Sequence, residues 1–149
     1  MTKNVLRTTT VDDIPFFFTQ QTDPIACELA GYPIKEWERF DMGWRKSIDE
    51  GAHILRTIDV DDVVAGHFVA WQEQDHWFFG YWLERALWGQ GIMTAALAEF
   101  LPLIPSRPLF ATVAVHNTAS ARLLLRAGFS EVERRVADDG ILEILFRLD

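Results

Sequence analysis

The sequence predicts an α/β (α+β) fold, a mixed and mostly antiparallel central sheet with helices on both faces. Three observations predict it. The runs Ala52–Ile58, Val63–Gln72 and His76–Leu83 are rich in β-formers and follow one another across acidic turns, which reads as an antiparallel meander. Helical patterns flank them, Ile34–Ile48 before and Gly89–Leu101 after. Beyond these, Leu109–Val115 is continuously apolar, as in a central strand covered on both faces. A chain of 149 residues has the size of one domain and can bury a core. No repeat, low-complexity tract or linker divides it, so a single domain over residues 1–149 is expected.

Element by element, Asn4–Thr8 reads as a short strand. Thr10-Val11-Asp12-Asp13 then starts a helix over Asp12–Gln20, with Pro15 tolerated in its first turn. In Ile34–Ile48 the residues Trp37, Phe40, Trp44 and Ile48 recur at helical spacing between charges, and Gly51 ends that helix. The Gly89–Leu101 helix is apolar nearly all round, which predicts burial rather than amphipathicity, and Pro102, Pro105 and Pro108 close it off. Asn117 caps a further helix to about Ala127, where Gly128 supplies the stop. Two last strands, Glu131–Val136 and Ile141–Arg147, flank the Asp138-Asp139-Gly140 turn.

Composition excludes several functions. Lys and Arg total 14 against 22 Asp and Glu, a net charge of -8, whereas nucleic-acid binding needs clustered cations. No nucleic-acid partner is expected. No apolar run reaches the length of a membrane helix and no signal-peptide pattern follows Met1, so no membrane partner and a cytoplasmic location are expected. The single Cys27 allows no intrachain disulfide and leaves no zinc cluster, so no metal is expected.

The stretch from Leu83 to Thr94 carries the chemistry. Gly89 and Gly91 stand where an aromatic segment gives way to a helix, and glycine there lets a ligand approach the backbone. The free amides and positive dipole end of the following helix favour an anion. A dinucleotide fingerprint would need a third glycine where Thr94 stands, and a P-loop would need Gly-Lys-Ser/Thr. Neither is present.

Two motifs resemble the GNAT N-acetyltransferase superfamily, and within it the branch of ribosomal-protein N-terminal acetyltransferases. Gly80-Tyr81-Trp82-Leu83 with Trp88-Gly89-Gln90-Gly91-Ile92-Met93-Thr94 is similar to the family's fourth strand and pyrophosphate-binding loop and helix. Asn117-Thr118-Ala119-Ser120 through Gly128-Phe129 is similar to its N-x-x-S helix ending in a G-F pair. The resemblance implies a sheet splayed between its fourth and fifth strands and acetyl-CoA as cosubstrate. It also implies direct acetyl transfer to a primary amine, a protein N-terminus or a small amine. By position, backbone groups of Trp82 and Leu83 would bond the pantetheine arm. The amides of Gly89, Gln90, Gly91, Ile92, Met93 and Thr94 would hold the pyrophosphate, and Trp88 and Asn117 would contact the cofactor. Arg122 or Arg126 is directed to the adenosine phosphate, although four apart on a helix they also fit a solvated face. A homodimer enters only as a habit of the family.

Catalysis is where the sequence departs from the pattern. The helix tyrosine that many members use as general acid is replaced by Leu124, which leaves Ser120 as the hydroxyl near the expected sulfur. The glutamate that many relatives carry in the fourth strand has no counterpart in Trp77-Phe78-Phe79, and His76 just upstream is nominated as base. Glu73, Asp75, Glu84, His67 and His116 stay open. Trp37, Trp44, Trp71, Trp77 and Tyr81 are candidates to line the acceptor pocket or to pack the core. The two missing residues keep a second reading alive, a non-catalytic acyl-CoA-binding or interaction module of the same fold.

Overall fold

The computed structural model describes residues 3–149, so Met1 and Thr2 of the expected 1–149 domain lie outside the described residues. The chain runs β1 (Asn4–Thr8), a 3-10 turn Val11–Asp13, α1 (Ile14–Gln20), α2 (Pro24–Ala30), α3 (Trp37–Glu50) and β2 (Ile54–Val60). It continues through β3 (Val63–Glu73), β4 (His76–Leu83), a 3-10 turn Arg85–Leu87, α4 (Ile92–Phe100) and a 3-10 turn Leu101–Leu103. The last elements are β5 (Leu109–Ala114), α5 (Thr118–Arg126), β6 (Ser130–Val136) and β7 (Leu142–Leu148). One seven-stranded sheet has the order β1-β2-β3-β4-β5-β7-β6. Every neighbouring pair is antiparallel except β4 and β5.

Alternation along β3 sorts the two faces of the sheet. Phe68 and Ala70 point into the larger core with Phe79, Phe100, Leu109, Leu124 and Phe146, which α4 and α5 cover. His67 points the other way, against Phe17 of α1 and Trp44 of α3. The N-terminal elements are fastened to the sheet by a buried charge. Asp13 is 3% exposed and accepts from Arg7 (2.8 and 2.9 Å), Thr57 Oγ1 (2.8 Å) and the Thr10 amide (2.9 Å). These bonds hold its carboxyl below the ordinary range despite burial that raises it.

Three expectations are corrected. The helix α2 is absent from the periodicity reading because seven residues carry too little pattern. Its ends are nonetheless signalled, by Asp23 accepting from the Ile25 amide (3.1 Å), by Pro24, and by Gly31 at φ +66. The helix α4 is not buried all round: Ile92, Ala96, Leu97 and Phe100 are buried while Thr94, Ala95, Ala98 and Glu99 are exposed. Its small residues read as core in sequence and face outward in space. The strand β5 is not covered on both faces along its length, since Thr112 is exposed. The cause is the sheet itself. β4 and β5 pair only at Trp77–Leu109 and Phe78–Phe110, and beyond those two rungs the strands part.

Candidate functional site

The parting of β4 and β5 makes the site. From Phe79 onward β4 has no partner on its β5 side, so its main chain there is open to a ligand. The Glu84 amide donates to Ala65 O (2.8 Å), and main-chain groups of an antiparallel strand alternate sides. Trp82 therefore turns its amide and carbonyl toward β3. A Cβ built on Gly66 of β3 would meet Trp82 O at 2.1 Å, as that direction requires. Tyr81 and Leu83 turn theirs into the opening.

Two clefts meet here. The first, about 390 Å³, is lined by the end of β4, by Leu87 to Thr94, and by Asn117, Ala119, Ser120, Arg122, Leu123 and Arg126. Gly91 is the N-cap of α4 at φ +77, and Gly89 also has φ +77, with nothing within 4 Å of an added Cβ at either. The first-turn amides of α4 have no acceptor within the helix and face a groove edge without side-chain bulk. Trp88 Nε1 donates to Leu83 O (2.8 Å) and Arg85 pairs with Asp23 (2.6 Å), which tie the loop to β4 and α2. Among the described residues no carboxylate lines this cleft, while Arg122 and Arg126 do.

The second cleft, about 460 Å³, lies under α3. It is lined by Lys35, Arg39, Trp44 and Ser47 on one side and by His67, Trp71, Tyr81 and Thr112 on the other. Tyr81, Trp82, Asn117 and Ser120 border both clefts. At that junction the Tyr81 hydroxyl is hydrogen-bonded to Ser120 Oγ. Burial pushes the Tyr81 phenol up to about 12, against the lowering effect of Ser120, so it keeps its proton. Asn117 Oδ1 accepts from the Ser120 amide (3.3 Å), which caps α5 and fixes Ser120 in its first turn.

The profile of the acetyltransferase (GNAT) domain matches residues 4–130. The chain belongs to the GNAT acetyltransferase family. Among solved structures, the ribosomal-protein-alanine N-acetyltransferase from Brucella melitensis superposes with a TM-score of 0.82 at 17% identity, over 97% of this chain and 98% of that one. RimL, the ribosomal L7/L12 α-N-protein acetyltransferase solved in complex with coenzyme A, gives 0.79 at 17% identity over 97% and 93%. The putative acetyltransferase yncA from Salmonella typhimurium, solved with its cofactor acetyl-CoA, gives 0.76 at 13% identity over 98% and 93%. No curated protein matches the sequence. At these identities the superpositions establish the fold.

Within this GNAT domain the predicted residues fall into two groups. Trp82, Leu83, Trp88, Gly89, Gln90, Gly91, Ile92, Met93, Thr94, Asn117 and Ser120 all border the first cleft. His76 does not join them. It is exposed at the start of β4 with its ring edge-on to Phe110 at 5.3 Å, five residues of extended strand from Tyr81, or roughly 16 Å. Glu73, Asp75 and Glu84 are exposed and line neither cleft. The ring of His116 is bonded through Nε2 to Glu28 O of α2 (2.8 Å). Leu124, at the family's tyrosine position, is 0% exposed in the core. Of the aromatic candidates, Trp44, Trp71 and Tyr81 line the second cleft, Trp77 belongs to the core, and Trp37 packs edge-on against Phe18 at 5.2 Å. The reach of Tyr81 to Ser120 is not readable from the sequence, because it depends on the angle at which β4 leaves β5.

His67 does line the second cleft, yet it is 5% exposed and its Nδ1 has no partner among the described residues. Burial pushes its imidazole from 6.5 down to about 3, so it is neutral at neutral pH. A base that is protonated when unfolded and neutral when folded stabilises the fold above pH 6.5, and this contribution is lost as pH falls from 6.5 toward 3. Replacing His67 with Phe is therefore expected to reduce the acid sensitivity of urea unfolding in that window, by up to about 1.4 kcal/mol per pH unit. The Asp13–Arg7 contribution is common to both proteins and cancels in the difference. Equal slopes would show that His67 is protonated in the fold.

Proposed function

We propose that this protein transfers the acetyl group of acetyl-CoA to a primary α-amine, by direct attack at the junction of the two clefts. The observation that carries this reading is the meeting of the clefts at the Tyr81–Ser120 hydroxyl pair. The first cleft suits the cofactor: open amides at an αL glycine, two arginines and, among the described residues, no carboxylate match a polyphosphate. The amides from Gly89 to Thr94 would take the pyrophosphate and Arg122 or Arg126 the adenosine phosphate. The pantetheine arm falls to the main chain of Tyr81 and the Leu83 amide rather than to Trp82, whose groups face β3. Bound there, acetyl-CoA supplies an acetyl group activated as a thioester.

The chain's own residues supply alignment and a proton. The second cleft holds the amine against the junction, where the new N–C bond forms as the C–S bond breaks. Ser120 Oγ–H is placed to protonate the departing sulfur, and the Tyr81 phenol returns a proton to Ser120 and regains one from the water that takes up the amine's proton. The hydroxyl that α5 lacks at Leu124 thus comes from β4. The proton lost by the amine passes to water, since among the described residues no carboxylate lines the second cleft and His67 stays neutral without serving as a base near pH 7. This favours α-amines. With a pKa near 8 about a tenth of an α-amine is neutral at pH 7, against less than about one lysine side chain in a thousand.

Purified protein with acetyl-CoA and a panel of peptide N-termini, lysine side chains and small amines is expected to release thiol fastest with α-amines, and to add one acetyl group to the acceptor's mass. Binding of acetyl-CoA without amine-dependent release would leave the non-catalytic module. Absence of any binding would remove both.

A further inference from the structure

We propose that the second cleft selects an acceptor that carries a negative charge beside its amine, with Lys35 and Arg39 as the partners of that charge; the proposal rests on the transferase reading above. In a chain with eight more acidic than basic residues, a cavity of this size lined by two cations and, among the described residues, by no carboxylate is a departure from the surface around it. Among the described residues neither cation is spent on an ion pair: Arg7, Arg45, Lys46, Arg85, Arg134, Arg135 and Arg147 all have a carboxylate within 4 Å, and Lys35 and Arg39 have none. Glu36 and Glu38 beside them in sequence are exposed and do not line the cleft.

The two cations line the same cleft as Tyr81 and Ser120. Lys35 Nζ stands 5.2 Å over the Tyr32 ring, and that ring meets Trp82 at 5.6 Å. A cation held over an aromatic face is steered without being neutralised. Arg39 enters from the first turns of α3 and offers a planar fork that fits a carboxylate in two bonds. The floor opposite them carries no charge, because His67 is neutral between Phe17 at 4.6 Å and Trp44 at 4.7 Å. Such a cleft attracts a carboxylate and repels a polycation, and two nearby positive charges also lower the pKa of the incoming amine. Acceptor affinity and amine reactivity point to the same class, an α-amine with a carboxylate close by. Both a free acidic amino acid and a peptide whose first residues are acidic have this chemistry.

The test compares kcat/KM for seryl peptides followed by two aspartates, two glutamines or two lysines, and for free glutamate against its diamide. The peptide series and the amino-acid pair separate the two sources. At least about a tenfold preference for the acidic member is expected in one of them, with the lysine peptide slowest. The double variant Lys35→Glu/Arg39→Glu is expected to reduce the ratio of acidic to neutral kcat/KM at least tenfold, while the acetyl-CoA dissociation constant stays as in the wild type. Equal rates across each series, or a ratio that the reversal leaves unchanged, would overturn the proposal and leave the transferase reading intact. No turnover with any acceptor would overturn both. Should the double variant fail to fold, Arg39→Gln alone, on an exposed helical position, reads the same ratio.

Discussion

Gly91→Val is expected to raise the dissociation constant for acetyl-CoA by about two orders of magnitude in a protein that remains folded. Gly91 holds φ +77 at the N-cap of α4, a conformation that costs a β-branched side chain about 2–3 kcal/mol. The loop in the variant populates another conformation, which turns the first α4 amides away from the groove. Apparent affinity falls with the population of the competent state, tenfold for each 1.4 kcal/mol. The residue is exposed and an added Cβ meets nothing within 4 Å, so the strain is confined to the loop and the midpoint of thermal unfolding should move by no more than a few degrees. Gly91→Ala, with about 1 kcal/mol of strain, should weaken binding about fivefold. Titration calorimetry orders the three proteins. Unchanged affinity in the Val variant would move the pyrophosphate elsewhere.

Tyr81→Phe is expected to lower kcat by about a hundredfold or more, the usual scale for losing a proton donor, with little change in acetyl-CoA affinity. The substitution removes one oxygen from a ring already packed against Phe68 and Phe79, so the fold keeps its shape. Ser120→Ala should cost a similar factor, and the double variant little more than either, because the two hydroxyls act as one unit. Since burial holds the phenol at about 12, its proton is not lost anywhere in the working range. No alkaline decline in kcat between pH 7 and 10 should therefore trace to Tyr81. A decline present in the wild type and absent in the Phe variant would contradict the assignment.

Much of the first cleft is legible in the sequence because it is local. An αL glycine before a helix, an Asn cap and a first-turn serine are each specified within a few residues, and the structure places Gly91, Asn117 and Ser120 on one cleft. The second cleft is assembled from distant segments. Lys35 and Arg39 precede Tyr81 by more than forty residues, and nothing in their own neighbourhood marks them, since each sits among acidic residues that point to solvent. In the sequence His76 reads as a histidine near the right strand, yet the direction of β4 carries it to the opposite end from Ser120. Thr112 gives the same lesson in reverse: the apolar run around it reads as covered on both faces, and the sheet opens beside it.

The central claim is that acetyl transfer occurs directly between ligands held in two clefts that share Tyr81 and Ser120. Initial rates of thiol release, measured over a matrix of acetyl-CoA and seryl-peptide concentrations, test it most directly. Intersecting double-reciprocal lines, with no release in the absence of peptide, are the predicted result. Parallel lines, or a protein that becomes acetylated when mixed with acetyl-CoA alone, would contradict it.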